Sequence, residues 1–332
     1  MKKILLIHTG GTFGMLPLKP SATLAPADIQ KHILTYLPEI QQIADIDFEV
    51  AFNIDSANIQ IEHWQKLAKL IYSNYHRYDG FVIIHGTDAM VYTAAALSFA
   101  LRGLSKPIIL TGSQRPLAQI RSDARSNLIN SLELATYSIP EVSIFFGTRL
   151  YRGNRAIKVS TVHYEAFTSP NYPVLAEVGL DITLSDYIRE PGKKLQYREH
   201  FDSRVFCFQY FPGLSPHYLD CLLNSPLQIV VITALGAGNL AVQKNSLIPW
   251  IEQMNRENKI VAINSQSPFG RVDLTLYQSG LLLKKAGALS SGDMTIPATI
   301  VKLMFLLGKY PHSMEKIKQH FEKPLAGELT VE

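Results

Sequence analysis

The chain has 332 residues, more than one ordinary hydrophobic core organises, so two domains are expected. Hydrophobic residues make up 47% and charged residues 18%, which excludes global disorder, and a net charge of +4 with no dense basic run argues against a nucleic-acid partner. No apolar stretch approaches the roughly 20 residues of a membrane span, and Cys207 and Cys221, with no C-x-x-C pair, support neither a zinc nor a redox motif and read as two buried thiols.

The first apolar run, Ile4 to Ile7, ends at His8. It is shorter than the roughly 7–15 apolar residues of a secretion signal. It reads as the first β-strand, Lys3–His8, and cytoplasmic residence is the expectation. Further strands are expected at Phe48–Asn53, Gly80–His85, Pro107–Thr111 and Val142–Phe146. Between them, Trp64, Leu67, Ala68, Ile71 and Tyr75 repeat at helical spacing, Ala89–Leu101 is rich in alanine and leucine, and Ser122-Asp123 predicts the cap of a helix reaching Thr136. Strands alternating with helices imply a parallel sheet covered on both faces, the core of a larger N-terminal α/β domain over 1–185.

Residues 186–204 are polar, carry Pro191-Gly192 and read as an interdomain linker. A second series comes next, with strands at Val205–Phe211, Gln228–Ala234 and Lys259–Ser265 and helices at Ser246–Glu257 and Thr295–Leu307. It predicts a smaller C-terminal α/β domain over 205–332, flavodoxin- or Rossmann-like.

Ligands of open parallel sheets collect beyond the carboxyl ends of the strands. The residues found there are Thr9-Gly10-Gly11-Thr12-Phe13-Gly14, Asp55-Ser56-Ala57-Asn58, Gly86-Thr87-Asp88 and Gly112-Ser113-Gln114. Each has an ordinary explanation: a tight turn after the first strand, an Asx turn at Asp55, a helix cap at Thr87-Asp88. His8 and His85 read as core or turn histidines, and Lys158 as a surface lysine. The dinucleotide G-x-G-x-x-G spacing is absent, as are the G-x-S-x-G elbow, H-E-x-x-H and a Walker loop. The combination is more specific than its parts. Two threonines flanked by glycines stand at neighbouring strand ends, one beside an aspartate. Glycines let a substrate approach backbone N–H donors, and a threonine hydroxyl is a weak nucleophile that needs a base. Asp88 or a desolvated lysine could supply it.

At these residues the sequence resembles the bacterial asparaginase/glutaminase family, in its type I, cytoplasmic branch. Thr9-Gly10-Gly11-Thr12 and His85-Gly86-Thr87-Asp88 carry the resemblance. Thr111-Gly112-Ser113-Gln114, Arg121-Ser122-Asp123, Arg149 to Arg155, Ala166 to Asn171, Gly236-Ala237-Gly238-Asn239 and Gly292-Asp293-Met294-Thr295 extend it over nearly the whole chain. It implies an L-asparaginase that needs no metal or cofactor and works by double displacement. Thr12 attacks the side-chain amide, ammonia leaves, and water activated at Thr87, Asp88 and Lys158 releases aspartate. Gly11, Asp55, Ser56, Ala57, Thr87, Asp88 and Ser113 would surround the substrate. Asn239 and Asp293 would come from a neighbouring subunit of a homodimer or homotetramer. The only partner implied is a small amino-acid amide, with no nucleic acid and no membrane. The chain departs from the family pattern in the loop Phe13–Pro26, which has no tyrosine to orient the first threonine; Thr23 or a tyrosine from elsewhere would replace it. Ala57 stands where a polar residue is common. A glutamine-accepting amidase, a tRNA-linked amidotransferase component and a binding protein without catalysis are the alternatives.

Overall fold

A computed structural model describes residues 1–14 and 26–331, with the backbone alone for 26–29. The expected loop residues Pro17, Pro20 and Thr23 lie outside the described residues. The chain divides into two compact units, Met1–Glu199 and His200–Glu332.

The first unit carries β1 (Lys3–Gly10), β2 (Asp45–Ile54), β3 (Gly80–Ile84), β4 (Leu101–Arg102), β5 (Ile108–Thr111), β6 (Val142–Phe146), β7 (Arg149–Arg152), β8 (Ile157–Lys158), β9 (Phe167–Thr168), β10 (Ala176–Val178), β11 (Ile182–Leu184) and β12 (Gln196–Tyr197). Its helices are α1 (Pro26–Tyr36), α2 (Ile61–Asn74), α3 (Met90–Ala100) and α4 (Ala124–Leu134). The main sheet runs β11-β10-β7-β6-β5-β3-β1-β2. Its strands β2, β1, β3, β5 and β6 are mutually parallel. β1, β3, β5 and β6 read as unbroken apolar runs because both faces are covered, and β3, β5 and β6 are buried throughout. The edge strand β2 instead carries Asp45, Asp47 and Glu49, charges that discourage a further strand from pairing there. Beyond β6 the sheet turns antiparallel, with β7, β10 and β11 added as hairpins that the alternating βα pattern did not predict. Within the expected linker 186–204, Gln196–Tyr197 pairs with Leu101–Arg102 and the Tyr197 ring stacks on Tyr72.

The parallel strands, renumbered among themselves, lie in the order 2-1-3-4-5. From β1 the chain crosses to one side for β2 and to the other for β3. The sheet therefore has its topological switch point between β1 and β3, where open α/β sheets form their binding crevice.

The second unit has four parallel strands, β13 (Val205–Gln209), β14 (Ile229–Ala234), β15 (Ile260–Ser265) and β16 (Leu289–Ser290), side by side in chain order. Its helices are α5 (Asp220–Leu223), α6 (Ile248–Arg256), α7 (Gln278–Lys285), α8 (Ile296–Lys309) and α9 (Met314–Phe321). Cys207 is half-buried on β13, and Cys221, expected to be buried, is exposed on the single turn of α5; both are free thiols. No helix among the described residues is long and apolar enough to cross a membrane.

Helix α8 is largely apolar but carries Lys302, which is wholly buried. Its ammonium lies 2.5 Å from Glu328 Oε1 and donates to the carbonyls of Phe321 and Lys323, both at 2.7 Å. Glu328 in turn accepts from the amides of Leu325 and Ala326. A buried ion pair with its remaining bonds satisfied costs little to keep and much to break. Glu328→Ala is expected to lower the stability of the second unit by about 3–5 kcal/mol, read from urea unfolding followed by Trp250 fluorescence.

Candidate active site

The residues after β1 and β3 meet at the switch point because glycines let the backbones touch. A Cβ built on Gly11 would sit 2.6 Å from the Gly86 Cα, and one on Gly10 would sit 2.2 Å from the Ile54 carbonyl oxygen. Both glycines have positive φ, at 86° and 107°, a conformation that side-chain-bearing residues resist. The contact brings together at the sheet rim the turns that carry Thr12 and Thr87, each one residue past its glycine. Thr12 opens a short 3-10 turn, Thr12–Gly14, and is half-buried. Thr9 ties the two strand ends together, its hydroxyl donating to the Ile84 carbonyl at 2.9 Å.

Thr87 and Asp88 converge on Lys158. The ammonium donates to Thr87 Oγ1 at 2.8 Å and meets Asp88 Oδ1 at 2.5 Å. The lysine side chain is only 15% exposed, against 68% for Asp88, so the ion pair points from a sheltered cation toward solvent. Lys158 is far from the surface lysine its sequence context suggests. It sits on the two-stranded ribbon β8–β9, paired with Phe167, whose ring packs on Phe146 at the end of β6. The helix-cap reading of Thr87-Asp88 gives way to this ion pair: α3 is preceded by Ala89, which makes no side-chain cap.

Asp55 forms the Asx turn anticipated as its ordinary role, accepting from the Ala57 amide at 2.9 Å. Ser56 is buried, and its hydroxyl accepts weakly from the Ala89 amide at 3.5 Å. A Cβ on Gly86 would lie 2.6 Å from Ser56 Oγ, so this turn too presses against the Gly86 backbone. Ser113 is buried, and its hydroxyl oxygen has no hydrogen-bond partner among the described residues. Asn239 and Asp293 lie in the second unit. There Asn239 Oδ1 accepts from the Ser279 hydroxyl and Asp293 Oδ1 from the Thr330 amide. Thr295, not Asp293, caps α8.

The structure adds residues that the sequence did not single out for the site. Asp123 was expected to cap α4, but its carboxylate makes no cap. It turns instead to the amides of Gln114 and Arg115 and to Asn127 Nδ2, while Ser122 Oγ accepts from the Ala124 amide. Burial pushes the Asp123 carboxyl up from its ordinary value, and the Gln114 and Arg115 amides hold it down. Asn127, fully buried, also donates to the Gly112 carbonyl and accepts from the Gly147 amide, joining the turns after β5 and β6. The signal for these roles was present only as polar residues in the first turns of a helix that faces the sheet.

Two histidines lie beneath the rim. His85 Nδ1 is 2.7 Å from the Gly86 carbonyl, which can only accept, so Nδ1 carries the proton. Nε2 then accepts from Thr93 Oγ1 at 3.0 Å, and Thr93 accepts from Trp64 Nε1 at 3.1 Å. His8 sits under Gly14, with Nε2 3.4 Å from Asn53 Oδ1. Burial lowers both histidines from 6.5 to about 4. They are neutral here, as the core reading expected.

Comparisons with known proteins identify the family of the chain. The model described as "Asparaginase, N-terminal" matches residues 3–188, and that described as "Glutaminase/Asparaginase C-terminal domain" matches 204–321. The chain belongs to the asparaginase family. It is 36% identical over 335 residues to L-asparaginase 1 of Escherichia coli K12, covering 99% of this chain and 98% of that protein. The crystal structure of L-asparaginase I from Vibrio cholerae matches with a TM-score of 0.90 at 36% identity, covering 99% of each chain. The thermostable L-asparaginase from Thermococcus kodakarensis matches with the same TM-score of 0.90 at 33% identity, covering 99% of this chain and 100% of that one. In this asparaginase-family fold the two glycine-flanked threonines come after the two strands that border the switch point.

The histidines give a pH prediction. Both folded values lie below the unfolded one, so the unfolded chain binds more protons between pH 6.5 and 4, and stability falls as pH falls through that window. The loss is on the order of 3 kcal/mol for each histidine. In a Trp250→Phe background, Trp64 fluorescence should show the urea midpoint of the first unit dropping from pH 6.5 to 4, and His85→Gln should flatten that dependence.

Proposed function

We propose that the protein hydrolyses L-asparagine to L-aspartate and ammonia, as a cytoplasmic enzyme using threonine hydroxyls and no metal. The observation that carries this reading is the Lys158 ammonium held between Thr87 Oγ1 and Asp88 at the switch point. Once the lysine has given up a proton, the hydroxyl, the neutral amine in hydrogen-bond reach and the carboxylate that orients it form a nucleophile–base–orienter series.

In the first half-reaction the Thr12 oxygen adds to the side-chain amide carbon, its proton passes to the leaving nitrogen, and ammonia departs. An aspartyl ester remains. In the second, water activated at the Thr87–Lys158 pair attacks that ester, returns the proton to Thr12 and releases aspartate. The Gly86–Thr87 peptide is well placed to help. His85 Nδ1 holds its carbonyl, so in a trans peptide the Thr87 N–H points the other way, as a pre-oriented donor for the developing oxyanion. Asp88 stays largely exposed while bonded to Lys158, which leaves a carboxylate to pair with the substrate's α-ammonium group. Asp55, Ser56 and Ala57 form the turn beside Gly86 where the α-substituents would lie. In this reading the protein is a homodimer or homotetramer, and Asn239 and Asp293 serve a neighbour's site; Asp293 would have to share a carboxylate already bonded to Thr330.

One observation favours a second order of events. Thr87, not Thr12, has the lysine at 2.8 Å, so Thr87 itself is equipped to attack first. Ammonia release from asparagine tests the activity. Protein that binds asparagine yet liberates no ammonia over hours is a sensor, and preferential release from glutamine makes it a broader amidase. Thr12→Ala, Thr87→Ala and Lys158→Met are each expected to reduce turnover by at least about 10³-fold. Acid quenching during turnover and peptide mapping should find the aspartyl ester on Thr12; an ester on Thr87 reverses the order.

A further inference from the structure

The Gln114 side chain joins two parts of the site that no secondary structure connects. Its Oε1 accepts from the Thr87 hydroxyl at 3.4 Å. Its Nε2 donates to the carbonyls of His163 at 3.2 Å and Ser160 at 3.4 Å, in the loop that comes after Lys158 on the β8–β9 ribbon. The backbone of Gln114 is fixed from behind, its amide donating to both oxygens of the buried Asp123. Apart from the Tyr164 hydroxyl, which donates to the Arg121 carbonyl, the loop that Gln114 reaches is anchored mostly to its own ribbon. Val159 and Ser160 donate to the Ala166 carbonyl, Val162 and His163 donate back to Ser160 Oγ, and Val159 and Val162 are exposed.

We propose that Gln114 is a positioning residue for the reaction, a strut that holds the Thr87 hydroxyl and the Lys158 loop in one register. The inference rests on the hydrolase reading above. Thr87 Oγ1 accepts from Lys158 and donates to Gln114. With both bonds made, a lone pair of the oxygen faces the lysine and its hydrogen faces the amide. While Lys158 is an ammonium, Gln114 thus sets the resting rotation of the hydroxyl about Cβ–Oγ1. Its other end keeps the loop, and with it the Nζ, from drifting away from that oxygen. Misplacing a reacting group by about 1 Å typically costs about 10²-fold in rate. Three long bonds, one at 3.2 Å and two at 3.4 Å, set a more modest expectation. Gln114 does not meet the substrate in this account, so its loss changes turnover and leaves substrate binding alone.

The test is steady-state kinetics with asparagine, together with amide hydrogen exchange over residues 159–165, on wild type, Gln114→Leu, Gln114→Glu and Thr87→Ala. Gln114→Leu removes both ends of the strut. It is expected to lower kcat about tenfold, keep KM within about twofold, and speed exchange in 159–165 about tenfold or more. Gln114→Glu is nearly isosteric, keeps an acceptor for Thr87 and offers the two carbonyls nothing. Its kcat should fall between wild type and the leucine variant, with exchange as fast as in the leucine variant. A leucine variant with kcat within about twofold of wild type overturns the proposal. So does a kcat loss matched by an equal rise in KM with exchange unchanged. Should the leucine variant not fold, a glutamate variant exchanging as slowly as wild type overturns it. If wild type releases no ammonia, the hydrolase reading and this inference fall together. If wild type is active, Thr87→Ala is dead and the Gln114 variants are normal, only the role of Gln114 is lost.

Discussion

The contact between Gly11 and Gly86 sets the geometry of the site. Neighbouring parallel strands ordinarily lie about 4.7–4.9 Å apart and then diverge as their loops leave the sheet. Here the chain past β1 folds back until the Gly11 and Gly86 backbones touch, leaving no room for a methyl group at Gly11. Ser56 presses on Gly86 from the turn after β2, and Gly112, after β5, lies against the His85 carbonyl, where a Cβ would come within 2.3 Å of its oxygen. Four strand ends are thereby drawn to one point. The turns that carry Thr12 and Thr87 meet because the residues before those threonines have no side chains.

Holding backbone in so tight a cluster shuts polar groups off from solvent, and the buried side chains answer that need one by one. Thr9 satisfies the Ile84 carbonyl, His85 that of Gly86, and Asn127 both Gly112 and Gly147. Asp123 serves the amides of Gln114 and Arg115. An unmet buried group costs about 1–3 kcal/mol, so the loss of any one of these bonds would weaken the rim by that order. Burial also explains why the histidines are neutral. A proton on His85 Nε2 would make the Thr93 hydroxyl turn its hydrogen away and accept instead, inside a site too buried to hydrate the charge.

Much of this was legible in the chain. Buried parallel strands are written as continuous apolar runs, and the residues just past each run name the rim, so Thr12, Thr87 and Ser113 were found by position before any geometry. Edge structure was not legible, because β10 and β11 have three residues each, too few to show a period of two. Asp123 illustrates a different failure. Ser-Asp ahead of a helix reads as a cap, yet the carboxylate faces inward to a loop nine residues earlier, since only the folded sheet brings Gln114 beside it. Gln114 itself looked like one more polar residue after a strand. Its meaning lies in Thr87, Ser160 and His163, separated from it by 27, 46 and 49 positions. Lys302 is the extreme case, a cation in the middle of an apolar helix whose partner Glu328 stands close to the C-terminal end.

The two sheets differ in the order in which the chain adds their strands. In the second unit every crossover steps to the next strand in the same direction, so β13 to β16 present no reversal of strand order. Its fully buried cation, Lys302, is occupied by Glu328 and two carbonyls. In the first unit the chain reverses at β1, the loops after β1 and β3 leave for opposite faces, and the gap between them is lined by whatever residues come next. There the cation is Lys158, also sheltered, but its partners are a hydroxyl and a carboxylate that faces solvent. A charge with fixed partners on every side can only stabilise. Lys158 differs in having a hydroxyl and a solvent-facing carboxylate as its partners, and the proposed hydrolase reading rests on that difference.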